Sequence, residues 1–219
     1  MTALIFTHWG DWIGELLRGL WISIKLTAAL IAVGIPLALL LAIAIVSAPW
    51  PVRWLAIVVV ELARGIPALI VVYLVYFGLP QVHITLQAFL AGTLALGFTM
   101  AGYTADIFRA GILAVPDGQR EAARALGLSR TAEMLHVVLP QAIRIVIPPV
   151  LGYVVLFFQA TALTFAIAIP ELLSRAYSIG NSTFEYLDVL VLAAVMYGAI
   201  AIPASQLIDL LERRRDRPA

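Results

Sequence analysis

RAGILAVPDGQREAARALGLSRTAEMLHVVLP, residues Arg109–Pro140, is the longest polar segment of the chain and lies between two long hydrophobic blocks. It is too polar to cross a bilayer itself. Pro116 and Asp117 read as a helix start, with Asp117 able to cap and good helix formers following. Glu121 is expected in the first turn, where a negative charge suits the helix dipole. Ala122, Ala123, Ala125 and Leu126 make a small, nearly smooth face. Gly127 then ends the helix in the left-handed conformation that glycine adopts without a Cβ penalty. Ser129 can cap a second helix running to Leu139 and Pro140. The expected shape is a short, compact helix that could enter a groove on another protein. A polar linker is the plainer reading, but a linker does not require this order of Glu, Ala-Ala, Gly and Leu-Pro.

Composition sets the class. Of the 219 residues 63% are hydrophobic and 12% charged, where soluble domains average about 25% charged. Mean hydropathy is +1.01. So few charges could not cover a sizeable core in water, so the chain reads as an all-α membrane protein. The net charge of +1 makes no electrostatic case for nucleic acid. Cysteine is absent, which removes disulfides and thiolate chemistry. The three histidines are isolated, so no metal site is expected. Neither HExxH nor a buried Ser/His pair is present, so no catalytic residue is assigned.

Five blocks can supply spans of about 20 apolar residues: roughly 20–46, 55–77, 86–108, 143–169 and 189–211. The prolines Pro148 and Pro149 should kink the fourth. Before the first, Trp9, Trp12, Ile13, Leu16, Leu17 and Leu20 recur at helical spacing, with Asp11, Glu15 and Arg18 opposite. Residues 1–19 therefore read as an interfacial segment and not as a signal peptide. Residues 20–211 read as one transmembrane domain, its polar loop at about 110–140. Residues 212–219, with Arg213, Arg214, Arg215 and Arg217, read as a basic cytoplasmic tail.

Orientation follows arginine and lysine placement. With the N-terminus outside and the C-terminus inside, the inner segments also hold Arg53, Arg109, Arg120, Arg124, Arg130 and Arg144. The outer ones hold only Arg18, Lys25 and Arg175. The polar loop is then cytoplasmic.

Polar side chains at membrane depth are functional candidates. Glu61 and Arg64 are three apart on one helix face and can pair. Either Arg64 lies near a solute path, facing a substrate carboxylate, or the two form a self-neutralising pair that shapes Gly65-Ile66-Pro67. Gln159, Thr161 and Thr164 lie in the middle of the fourth block. Tyr73, Tyr76 and Phe77 either line a pore or pack. His83 and Asn181-Ser182-Thr183 read as outer loop residues, and His136 lies on the second loop helix. Rows of small residues, Gly97 with Ala101 and Ala105, and Ala194 with Gly198, suit close helix approach. Five helices are too few to enclose a solute path comfortably, so a second membrane subunit is expected.

The order EAA, three residues, Gly127, nine residues, Val137, one residue, Leu139-Pro140 resembles the EAA loop of permease subunits of type I ATP-binding-cassette importers, with valine where isoleucine is usual. Further stretches resemble the polar amino-acid branch of that family: Gly19-Leu20-Trp21, Leu26-Thr27, Arg64-Gly65-Ile66-Pro67, Tyr76-Phe77-Gly78-Leu79-Pro80, Tyr103–Arg109 and Pro170-Glu171-Leu172. Together they cover most of residues 19–175. The resemblance implies a bacterial inner-membrane, multi-pass permease whose loop is a coupling helix. Glu121, Ala122, Ala123 and Gly127 would contact a separate cytoplasmic ATPase dimer that binds ATP and magnesium. Leu139 and Pro140 would end the loop, and an extracytoplasmic binding protein would deliver solute. The chain has no GxxxxGK followed by Ser or Thr, so it supplies no ATPase of its own. Where the branch usually reads Lys-Asp-Thr-Ser-Leu this chain has Gln159-Ala160-Thr161-Ala162-Leu163, which suits a zwitterion better than a strongly charged solute. An ectoine-like compatible solute or an opine-like derivative fits the same architecture. A secondary transporter without ATP lacks support, since neither an inverted repeat nor an acidic or histidine relay is present.

Overall fold

The computed structural model describes residues 8–215, side chains 211 and 213–215 excepted. The seven N-terminal residues of the expected interfacial segment and the last four of the basic tail therefore lie outside the described residues. Among those described there is no strand. The chain forms α1 (Trp9–Ser47), α2 (Trp50–Gly65), α3 (Ala68–Val82), α4 (Ala88–Leu113), α5 (Asp117–Ala125), α6 (Arg130–Ile167), α7 (Leu172–Thr183) and α8 (Tyr186–Arg215).

Four helices, α1, α4, α6 and α8, are long and apolar enough to cross a membrane. The expected second span is a broken pair instead, α2 and α3, bent by 104°. Pro67 causes the break. It has no N–H to donate and it pushes the preceding residue out of the helical region; Ile66 is extended at φ −91°, ψ 131°. Hydrophobicity runs on across the bend, so an apolar window alone reads through it.

α1 is one helix of 39 residues, so the expected interfacial lead-in and the first span are continuous. α6 likewise runs from the loop into the membrane. It is π-helical over Glu133–Val138, α-helical over Leu139–Ala160 and 3₁₀-helical over Thr161–Ile167. Leu139 and Pro140 therefore do not terminate the second loop helix. Proline is tolerated there because it sits at the opening of the regular α-helical stretch. Helical structure continues through Pro148 and Pro149.

α4 is the central helix: 67% of its most apolar window is buried, against 22–33% for the other three spans. Its row of small residues faces α1. A Cβ on Gly34 would stand 2.8 Å from the Gly97 carbonyl oxygen, and one on Gly97 would stand 3.3 Å from that of Leu30. Ala101 and Ala105 are fully buried. Small residues permit this approach in lipid, where packing replaces the hydrophobic drive between helices. Gly34→Leu should cost about 1–3 kcal/mol through overpacking, read as a lowered unfolding midpoint in detergent; an unchanged midpoint would mean the contact is slack. The second small row, Ala194 and Gly198, does not bury: Ala194 is exposed and Gly198 half-buried.

α7 was not expected, and Asn181-Ser182-Thr183 close it as helix instead of forming a loop. Its N-cap is Glu171, a fully buried carboxylate. Glu171 accepts from the N–H groups of Leu173 (2.8 Å) and Ser174 (2.7 Å) and from the Tyr197 hydroxyl on α8 (2.8 Å). Burial pushes its pKa up from the ordinary value, while these donors pull it down. Ser23 on α1 accepts from the Leu172 N–H at 3.3 Å. One capping residue thus ties α7 to α8, and its neighbour ties α7 to α1.

Candidate functional site

Two places on the fold concentrate polar chemistry. The first is the loop helix α5. Pro116 takes the N-cap position without a side-chain bond, and Asp117 is the first helical residue. The expected Asp117 cap is therefore shifted by one, and Glu121 falls in the second turn, leaving Asp117 as the first-turn acid. At the other end the Gly127 N–H donates to the Arg124 carbonyl (2.9 Å) and the Leu128 N–H to that of Ala123 (3.1 Å). With Gly127 at φ +77° this is a Schellman closure. Ser129 caps the next helix by accepting from the Ala132 N–H at 3.3 Å.

α5 is also strapped down. Arg124 donates twice to Glu133, at 2.9 and 3.3 Å, and Arg120 stands 3.8 Å from the same carboxylate. Arg120 further donates to the Ile112 carbonyl at the end of α4, at 2.8 Å. Glu133 is 4% exposed. Sequence reading passed over it, and the available signal was an acid with no other acid after Glu121 to share the loop arginines. Of the expected contact residues, Glu121, Ala122 and Gly127 are exposed, while Ala123 turns inward at 3% exposure. Ala123 seats the helix, and Leu126, 82% exposed, stands out in its place. Among the other loop residues Pro140 is exposed and Leu139 buried.

The second place is the break after α2. Glu61 and Arg64 do pair: the guanidinium donates to the Glu61 carboxylate from Nε (3.2 Å) and Nη2 (2.5 Å). Its Nη1 donates to Asp106 on α4 at 2.5 Å, a partner 42 residues away that helical spacing could not reveal. Arg109 closes the row, 3.4 Å from Asp106. Gly102 brings α2 onto α4, since a Cβ there would lie 2.9 Å from the Arg64 nitrogen. Tyr103 donates to the Arg64 carbonyl at 3.3 Å and stacks on Tyr153, ring centroids 5.7 Å apart. The fork is open on one side: the Glu61, Arg64 and Asp106 side chains are 56%, 39% and 32% exposed. Counted with Arg109 it is charge-balanced and able to exchange partners with a charged group of a ligand.

Gln159, Thr161 and Thr164 do not cluster there. Gln159 is exposed, but Thr161 and Thr164 are fully buried. Their hydroxyls donate to the carbonyls of Phe158 (2.6 Å) and Thr161 (2.7 Å), as threonine does within apolar helices. They pack inside this chain, Thr164 against Gly92. Tyr73 and Tyr76 both pack on Phe77. No group of three or more metal-binding side chains occurs among the described residues.

The chain is similar to known proteins over nearly its whole length. It is 37% identical over 167 residues to a probable glutamine ABC transporter permease protein of Bacillus subtilis, covering 76% of this chain and 77% of that one. It is 35% identical over 206 residues to an octopine transport system permease protein of Rhizobium meliloti, covering 90% and 84%. A chain in a crystal structure of an amino acid ABC transporter with histidines superposes with a TM-score of 0.87 at 32% identity, covering 98% of this chain and all of that one. The family model described as binding-protein-dependent transport system inner membrane component matches residues 34–217. With its broken second span, central glycine-faced helix and capped polar loop, this multi-pass inner-membrane chain belongs to that family of permease subunits.

Proposed function

We propose that the chain is the membrane subunit of an ATP-driven importer that moves a polar amino acid or a related zwitterion across the cytoplasmic membrane. The likeness to amino-acid permeases over more than two thirds of the chain carries this reading. The loop faces the cytoplasm, following the arginine asymmetry. There Glu121, Ala122, Leu126 and Gly127 enter a cleft of a separate ATPase dimer, which binds ATP and magnesium. A second permease subunit completes the path, and an outer binding protein delivers the solute.

The strap through Glu133 gives this arrangement a mechanical logic. A push on α5 reaches Glu133 through Arg124 and Arg120. From Glu133 the helix continues unbroken to Ile167. Closure of the ATPase dimer therefore moves a membrane helix and not a slack loop. Where α2 breaks, Arg64, held between two carboxylates, receives the solute carboxylate. One acid is released toward the solute amine as it does so.

The direct test is ATP-dependent accumulation of labelled amino acids in proteoliposomes holding the complete complex and its binding protein. Failure of every amino acid to accumulate would overturn the reading. An opine is the second reading, favoured by the octopine permease among the relatives; competition by octopine in the same assay decides between them. Arg64→Ala should lower uptake at least about tenfold, since it leaves Glu61 unpaired and Asp106 with Arg109 alone. Arg64→Lys should restore only part, because it loses the fork. Unchanged kinetics in Arg64→Ala would leave the pair a purely structural role.

A further inference from the structure

The coupling arginines Arg120 and Arg124 also line a site with two arginines that the coupling role does not use, Arg53 and Arg130. A cavity of about 620 Å³ opens between α5, the start of α6 and the turn from α1 into α2. Arg53, Arg120, Arg124 and Arg130 line it, against one carboxylate, Glu133. That carboxylate is already held by Arg124 and Arg120. Arg53 and Arg130 enter no ion pair among the described residues. The cavity therefore has three more positive groups than negative ones, and two of its arginines make no close ion pair, Arg130 feeling the Glu133 charge only at longer range. Apart from Ser47 and Thr131 its remaining wall is apolar, with Ile43 and Val46 on one side and Met134 and Leu135 on the other.

Two observations place it at lipid-headgroup depth. Trp50 and Trp54 stand beside Arg53 on the first turns of α2, 72% and 51% exposed, as tryptophan does at a membrane interface. The apolar wall also continues toward the bilayer centre. Ile35, Leu39, Ile43 and Val46 follow at three- and four-residue spacing on α1, and Ile143, Ile147 and Leu151 repeat on α6. Ile35, Leu39, Ile147 and Leu151 line a second cavity of about 230 Å³ whose lining is entirely apolar. From Ile35 to Val46 the helix rises about 16 Å. That is roughly one leaflet, half of an apolar core about 30 Å thick.

We propose that this furrow binds one anionic phospholipid, its phosphate among Arg53 and Arg130 with Arg120 and Arg124 flanking, and one acyl chain between α1 and α6. An acidic protein segment would match the arginines but not an apolar furrow one leaflet deep. A zwitterionic lipid would fill the furrow but leave the charge excess unmet. The assignment to the inner leaflet rests on the orientation proposed above; the site itself does not. The lipid bridges the α1–α2 turn to the loop, so it bears on the joint through which α5 moves.

The test uses the complete transporter complex, delipidated in detergent and offered an equimolar mixture of phosphatidylglycerol and phosphatidylcholine, with retained lipid read by native mass spectrometry. The wild type is expected to retain one phosphatidylglycerol per permease in preference to phosphatidylcholine. Arg53→Gln combined with Arg130→Gln should lower that retention about thirtyfold, about fivefold for each arginine near the surface. Should the double variant fail to assemble, Arg53→Gln alone should still lower it about fivefold. Ile147→Trp, which fills the furrow without touching the arginines, should lower it as well. Equal retention of the two lipids, or full retention by the arginine variants, would overturn the proposal. So would displacement by inorganic phosphate alone, which would reduce the site to a simple anion pocket.

Discussion

Gly127→Asp should abolish ATP-driven uptake while leaving the permease in the membrane. Two separate effects meet at this residue. The backbone is left-handed, at φ +77°, which costs an ordinary residue roughly 1–2 kcal/mol and aspartate less than most. A Cβ here meets no atom within 4 Å, so nothing in the chain is displaced and the span helices are untouched. Membrane levels should therefore stay within about twofold of wild type, since exposed changes of this kind are usually mild. The same open space is where the proposed ATPase contact closes. An unpaired carboxylate beside Leu126 would be desolvated there, at a few kcal/mol, which corresponds to a loss of about 100-fold or more in association. Gly127→Asn separates the effects, because asparagine tolerates the left-handed region without charge. It should keep a measurable part of uptake. Copurification of the ATPase subunit gives the direct readout. Normal uptake and normal copurification in Gly127→Asp would refute the coupling role of α5.

Much of this loop was legible before any coordinates. Gly127 and Ser129 are local signals, each a residue type that one backbone geometry requires, and both stand where their chemistry puts them. The four long spans were legible for the same reason: a run of 20 apolar residues is itself the physical requirement for crossing lipid. What was missed depends on contacts between distant parts of the chain. Glu61 and Arg64 could be paired from spacing, but Asp106 reaches them only because Gly102 lets α2 lie on α4. Ala123 looked like part of an outward face. Its burial is set by the Arg124–Glu133 strap, which joins residues nine apart across a turn. Thr161 and Thr164 looked like pathway residues because they are polar within an apolar run. A hydroxyl satisfied by its own helix carries no such obligation. α7 escaped because its 12 residues are too few to span and half polar, so neither hydropathy nor length marks them.

That unexpected helix carries the second large effect. Glu171→Ala should cost about 3–5 kcal/mol, the sum of a lost N-cap and of three buried donors left without an acceptor. For a chain of this size that lowers the unfolding midpoint by about 10 °C, measured on the purified complex in detergent. Little relaxation is available to soften the loss. Glu171 is fully buried, and around it Leu172, Ala176, Val189, Leu192 and Trp12 form the core that joins α1, α7 and α8. Gly19 fixes the spacing, since a Cβ on it would lie 2.9 Å from the Glu171 carbonyl oxygen and from the Leu172 Cα. Water therefore has no room to replace the carboxylate without parting α1 from α7. Glu171→Gln keeps the volume and one acceptor oxygen but turns an amide either toward the Ser174 donor or toward the donors of Leu173 and Tyr197. It should fall between wild type and alanine. Tyr197→Phe removes one of the three donors to Glu171 and keeps the carboxylate with the other two, so it should cost only about 1 kcal/mol. If Glu171→Ala unfolds no earlier than Tyr197→Phe, the carboxylate is not what holds α7 to α8. If both fold normally but uptake falls, the contact serves movement of α7 against α8 and not stability.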